Sequence, residues 1–190
     1  MKKSIKILII VIVALVILGG AVFLAINLAK SKSNLPEINS AEELSALVDR
    51  VYEGLEIEMP MLNTHIVDVT DNMMVQVVTG LEDGANFEYL VASEPLMSSQ
   101  AYSFVLAKVK EGVNANEVAK IMNEKIDNRK WICVTAEKVY TTSSGNVVCL
   151  VMSNEETATT VYNKFKTLAG GIGKEFERTE QEPELPADMY

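Results

Sequence analysis

Residues Ile7 to Ala29 form a run of twenty-three with no charged side chain and one amide, Asn27, flanked by Lys2, Lys3 and Lys6 before and by Lys30 and Lys32 after. At about 1.5 Å per helical residue, such a run matches a hydrocarbon core of about 30 Å with some tilt. The sequence therefore predicts a transmembrane helix through residues 7–29, with everything downstream on one side of a bilayer. A cleaved secretory signal is the competing reading, because Gly19 and Ala21 give a small-residue cleavage pattern. Cleavage there would leave Val22 to Ala29 as an apolar new N-terminus, whereas a cleaved apolar region ends after about 7–15 residues, so an uncleaved anchor is favoured. Cys133 and Cys149 are too far downstream to be lipid acceptors. Three lysines precede the span, and the two that follow soon meet Glu37, Glu42, Glu43 and Asp49. The positive-inside rule then gives a single-pass protein of the cell membrane with its C-terminal domain outside.

Charge is uneven beyond the span. Glu37 to Glu94 holds thirteen acids and one base, Arg50, while Lys108 to Lys174 holds ten bases and seven acids. Glu175 to Tyr190 adds six acids and Arg178, bringing residues 37–190 to a net −14. That balance argues against nucleic acid as a partner and against adhesion to anionic lipid, both of which use basic patches. Solubility and repulsion from an anionic envelope explain the acids most simply, with a basic partner or a cation as the specific alternative. The organisation predicted is a cytoplasmic head and anchor at 1–32, a polar linker at 33–39, a domain at 40–174, and an acidic, proline-bearing disordered tail at 175–190.

Within the domain, capping boxes predict three helices: Ser40 with Glu43, Asn114 with Glu117, and Ser153 with Glu156. Apolar residues follow each at helical spacing, among them Leu44, Leu47, Val48 and Val51, then Val118, Ile121 and Met122, then Val161, Tyr162 and Phe165. Strand patterns occupy Phe87 to Ala92, Ala101 to Val109, Glu137 to Thr142 and Val147 to Met152, with Ser144 and Gly145 as the turn of the last hairpin. A helix followed by two strand-strand-helix units predicts an α+β domain, an antiparallel sheet with helices packed on it. The Val147 and Phe104 strands are apolar on both faces. The Asn114 and Ser153 helices are expected to cover one face, and the Ser40 helix, the Met59 to Gly80 segment or a partner molecule the other, with cover from within the chain favoured.

Met59, Pro60 and Met61, followed by Thr70, Asp71, Met73 and Met74, are harder to place. A short helix from Asp71, capped by Thr70 and closed by Gly80, is the expectation, and Met59, Met61, Met73 and Met74 are the candidate interaction surface. No catalytic set is visible. His65 is the only histidine and has no marked nucleophile or carboxylate around it, so a surface or core role is expected. One histidine and two cysteines sixteen apart match no zinc spacing, and neither the Asp68 and Asp71 pair nor Glu82, Asp83 and Gly84 match a calcium loop. Gly170 to Lys174 lacks the first glycine and the hydroxyl of a phosphate loop. No cofactor is predicted. With the turn at Ser144 and Gly145, Cys149 lies opposite Tyr140 and Cys133 beyond the strand end, so two buried thiols are favoured over a disulfide, which stays open.

The order of features, an N-terminal anchor, the Met59 to Met61 motif, the Asp71 to Gly80 segment, Tyr102 to Lys110 running into the Asn114 helix, and the Val147 to Ser153 strand, resembles the uncharacterised bacterial family called domain of unknown function 4358. The resemblance covers Ser40 to Ala169, and the chain departs from it in a shorter stretch between Lys130 and Glu137. It implies a small exported or membrane-anchored protein of the bacterial cell envelope, as in Gram-positive anaerobes, and brings no activity and no site residues.

A membrane-anchored binding or scaffolding module, meeting an envelope protein or itself, is the leading functional expectation. The alternative is a small-ligand sensor with a pocket holding Tyr89, Tyr102 or Trp131. Catalysis ranks third, because without a usable histidine it needs a Ser-Lys or paired-carboxylate site.

Overall fold

In the computed structural model, residues 33–179 are described. Along the chain they form α1 (Ala41–Tyr52), β1 (Leu62–Ile66), α2 (Asn72–Thr79), β2 (Phe87–Pro95), β3 (Ser103–Val109), α3 (Ala115–Lys125), β4 (Lys138–Ser144), β5 (Val147–Ser153), α4 (Glu155–Ala169) and β6 (Phe176–Thr179). The strands make one six-stranded antiparallel sheet in the order β1-β2-β3-β5-β4-β6, so the domain is α+β. The anchor expected at residues 7–29 lies outside the described residues, as does the tail from 180 onward. Among the described residues no helix is long and apolar enough to cross a membrane.

Local side-chain chemistry sets the helix starts. Ser40 Oγ accepts from Glu43 N at 3.2 Å, and Glu43 Oε2 reaches back to Asn39 N at 2.7 Å, which satisfies two amides at the start of α1. Asn114 caps α3 as the sequence predicts. At α2 the cap is Asp71 and not Thr70: Asp71 Oδ1 accepts from Met73 N and Met74 N, both at 3.1 Å, while Thr70 is bound to Asp68 in the preceding turn. At α4 the cap is Asn154 and not Ser153, because Ser153 is still paired with Lys138 in the sheet and its Oγ donates to Ala101 O at 2.8 Å.

β5 explains the layering. All seven of its residues are buried. Val148, Leu150 and Met152 face one core with Val75, Val78 and Met122; Val147, Cys149 and Val151 face another with Leu44, Val161 and Phe165. The α3 helix lies with α2 on the first face and α4 with α1 on the second, so the Asn114 and Asn154 helices do not share a face as the sequence reading had it. The cause is topological. The β3-α3-β4 and β5-α4-β6 crossovers each skip one strand and both move toward the β6 edge. Because β3 and β5 are antiparallel, right-handed connections must carry their helices over opposite faces.

Four further expectations are corrected. The β4–β5 turn is Gly145 and Asn146, with Gly145 at φ 59°, so Ser144 pairs Val147 and Cys149 lies opposite Thr142 instead of Tyr140. Both cysteines are free; Cys149 is buried, and burial pushes its thiol pKa well up, but Cys133 is exposed and not the buried thiol expected. The 33–39 linker packs on the domain, with Asn34 N bonded to Ala169 O at 2.8 Å and Ile38 buried. The segment assigned to a tail from 175 instead supplies β6, whose Phe176 O accepts from Asn123 Nδ2 at 3.3 Å.

Gly80 ends α2 at φ 77°, and a Cβ there would stand 2.5 Å from Ile126 N, whereas Gly54 has φ 71° and open space around it. Gly54→Ala is expected to lose about 1–2 kcal/mol from left-handed strain alone, and Gly80→Ala distinctly more. Urea midpoints read from Trp131 fluorescence check the order, and equal losses would contradict the close approach of α2 to α3.

Tyr52 OH and Tyr102 OH are 2.8 Å apart, and burial pushes the Tyr52 hydroxyl pKa from 10.0 up to about 12. A pKa raised by folding gives stability that is full below pH 10.0 and falls away as pH climbs toward about 12, since the unfolded chain ionises first. Tyr52→Phe should flatten that alkaline fall in a pH series of urea midpoints.

Candidate functional site

The register places the start of β1, the end of β2, the start of β3, the end of β5 and the start of β4 at one end of the sheet, where Leu62 pairs Pro95, Ser103 pairs Met152 and Lys138 pairs Ser153. Three loops meet there and present large apolar side chains to water: Met61 at 73% exposure, Ile132 at 66%, Leu96 at 60% and Met97 at 59%. The loops are stitched together by their backbones. Leu96 N donates to Met61 O, and Ile132 N donates to Ser98 O, each at 2.9 Å.

The segment from Asn128 to Ala136 holds Ile132 in place. Its base is closed by Ala136 N to Asn128 O at 2.8 Å and by Asn128 Nδ2 to Ala136 O at 3.1 Å, the arrangement of a compact surface loop with adjacent ends. Lys130 anchors it inward. Its Nζ is ion-paired with Glu94 Oε1, donates to Val77 O at 3.2 Å and lies 3.4 Å from Ser103 Oγ, which itself donates to Glu94 Oε1 at 3.0 Å. The ammonium also lies 5.4 Å from the centre of the Trp131 ring, which packs on the α2–α3 core. Burial lowers the Lys130 pKa, and the Glu94 carboxylate opposes that shift. A serine beside a lysine of lowered pKa invites a nucleophilic reading, but Ser103 is fully buried, its hydroxyl hydrogen is given to Glu94, and the lysine is held by the same carboxylate. The cluster is an internal tie between the loop, α2 and the sheet.

A cavity of about 330 Å³ opens at the same end, lined by Glu58, Met59, Pro60, Gln100, Ser153 and Asn154 among others. Tyr89, Tyr102 and Trp131 are not among its lining residues. Tyr89 OH is committed to Asn39 O at 2.8 Å, and Tyr102 is buried against Tyr52.

The four predicted methionines do not form one surface. Met61 belongs to the exposed rim and Met73 is exposed on α2, but Met59 packs against the α1–α4 core and Met74 against the α2–α3 core. The sequence reading missed Leu96, Met97 and Ile132. Their signal was apolar residues in stretches without strand or helix periodicity, after Pro95 and around Trp131. His65 lies half-buried on β1 opposite Ala92, its Nδ1 without a hydrogen bond and with no nucleophile or carboxylate bonded to it. Among the described residues no group of three or more histidine, cysteine or acidic side chains could hold a metal ion. Compared with known proteins, the chain matches no family model, no curated protein and no solved structure.

Lys130→Met should remove the inward tie and leave Glu94 half-satisfied, with a loss of about 2–3 kcal/mol, below the range for a fully enclosed pair because Glu94 keeps some solvent contact. Trp131 emission should move to longer wavelength, and adding Glu94→Gln should restore part of the stability. Unchanged emission would mean that the ion pair does not position the loop.

Proposed function

We propose that this chain is a single-pass, membrane-anchored protein whose α+β domain stands outside the cytoplasmic membrane and serves as a binding or scaffolding module of a bacterial envelope. One observation carries the reading. Both sheet faces are covered by the chain's own helices, yet Met61, Leu96, Met97 and Ile132 remain gathered in water at one end, where folding does not use them. Exposed apolar surface of that kind is expensive to keep unless a partner covers it. The uncharged run at 7–29 supports the anchor, and membership of the domain of unknown function 4358 family belongs to the same proposal. On this reading no turnover is required of the domain, and no nucleic acid is a partner.

A small-ligand sensor is the second reading, favoured by the cavity of about 330 Å³ beside the rim, which is at the lower end of ligand-site volumes. The aromatic residues expected to line such a pocket are engaged elsewhere, which sets this reading behind the first.

Crosslinking of the full-length protein in its native membrane, followed by pull-down and with a variant lacking residues 1–32 as control, tests the proposal. A recurrent envelope protein captured through the outer domain is the expected result. A blank, together with specific thermal stabilisation by a small molecule, would overturn it in favour of the sensor.

A further inference from the structure

We propose that the end of the domain carrying Met61, Leu96, Met97 and Ile132 docks an apolar segment bearing lysine or arginine from a protein partner. This rests on the binding-module reading and adds the chemistry of the occupant.

Carboxylates flank the rim on the side of β4 and α4. Glu58 borders the cavity beside it, Glu137 and Glu155 stand where β4 and α4 begin, with Glu137 Oε2 2.9 Å from Glu155 N, and Glu156 follows on α4; all four are exposed. Of the cations at this end, Lys138 and Lys130 are held by carboxylates, while Arg129 is exposed. Lys138 Nζ lies 2.6 Å from Glu177 and 3.9 Å from Glu155, Arg129 lies 4.0 Å from Asp127, and Lys130 is turned inward to Glu94. An apolar centre with an acidic flank complements an occupant with apolar side chains and positive charge beside them.

The chain outside the described residues argues the same way. Ser33 Oγ is 2.8 Å from Ser144 Oγ, so the preceding residues join the domain at the β4–β5 hairpin, and the 7 residues of β5 separate that turn from the rim. At about 3.3 Å per residue the separation is roughly 20 Å, which leaves the rim at the end of the sheet away from Ser33. Thr179, the last described residue, pairs Lys138 beside the rim and is followed in sequence by residues 180–190. They carry Glu180, Glu182, Glu184 and Asp188 and no base, which makes them poor company for that acidic flank. A second copy meeting rim to rim would likewise bring two acidic flanks into one interface.

Full-length protein in phosphatidylcholine nanodiscs, titrated with a fluorescent twelve-residue peptide of alternating leucine and lysine and corrected with empty discs, tests the proposal. Leucine–glutamate and serine–lysine peptides serve as controls. Binding of the leucine–lysine peptide should fall about tenfold or more in the exposed double variant Met97→Ser/Ile132→Ser, and both control peptides should bind at least about tenfold more weakly. Equal binding by the double variant, or by the leucine–glutamate peptide, overturns the proposal. So does an affinity gain of about tenfold on deleting residues 180–190, which would make the tail the occupant, or a dimer in sedimentation that the double variant dissolves, which would make it a second copy. If crosslinking in the native membrane captures a partner equally well with the double variant, the binding module stands and this surface falls. If the full-length protein captures no partner while the peptide still binds through the rim, the surface stands and the module reading falls.

Discussion

A strand whose side chains are apolar on both faces cannot leave either face in water, and β5 is such a strand from Val147 to Met152. Burial of that kind stabilises by about 25 cal/mol per Å² of apolar surface, so both faces demand a layer of helices. Everything else in the architecture follows from meeting that demand with short connections. Antiparallel pairing of β3 and β5 sends α3 and α4 to opposite faces, and α2 and α1 complete the two layers. Two polar side chains drawn into these layers tie α3 to β4: Thr141 Oγ1 donates to Ala119 O at 2.7 Å and Asn123 Nδ2 to Val139 O at 3.1 Å.

The same constraint separates stability from display. Strand and helix interiors are consumed by packing, so only loops at the sheet ends are free to vary. The two sheet edges are made poor templates for further pairing by shortness and polarity: β1 has 5 residues with Asn63 exposed, and β6 has 4 with Glu177 and Arg178. Apolar side chains also meet solvent at Ile66 on the β1 edge and at Met73 and Val77 on α2, but the loop cluster brings four of them from three segments to one end of the sheet.

How much was legible in the sequence depended on whether the signal was local. Ser40, Asn114 and Gly80 act on amides and turns within a few residues, and their roles could be read directly. Asn154 and the Gly145–Asn146 turn were each displaced by one residue, since Ser153 is as good a cap as Asn154 until its pairing with Lys138 is known. β1 and β6 escaped because their order comes from neighbours: Leu62 to Ile66 and Phe176 to Thr179 have mixed composition and become strands by completing β2 and β4. The rim escaped for a related reason. Its side chains come from three loops far apart in sequence, and methionine content pointed equally at Met59 and Met74, which fill core gaps.

The buried Lys130 shows why a loop surface here can be specific. A loop ordered only on binding loses conformational freedom at that moment, about 0.5–1.5 kcal/mol for each immobilised side chain. The Asn128–Ala136 closure and the Lys130 tie to Glu94 and Val77 order the loop during folding instead. Lysine suits the position because its ammonium lies 5.4 Å from the centre of the Trp131 ring and reaches several acceptors at once. The desolvation of that charge is offset by the carboxylate and carbonyl already in place, and Ile132 is left outward on a framework fixed in advance. Trp131 inward and Ile132 outward are then two consequences of one anchoring contact: the first completes a core, and the second presents the apolar surface that the core does not need.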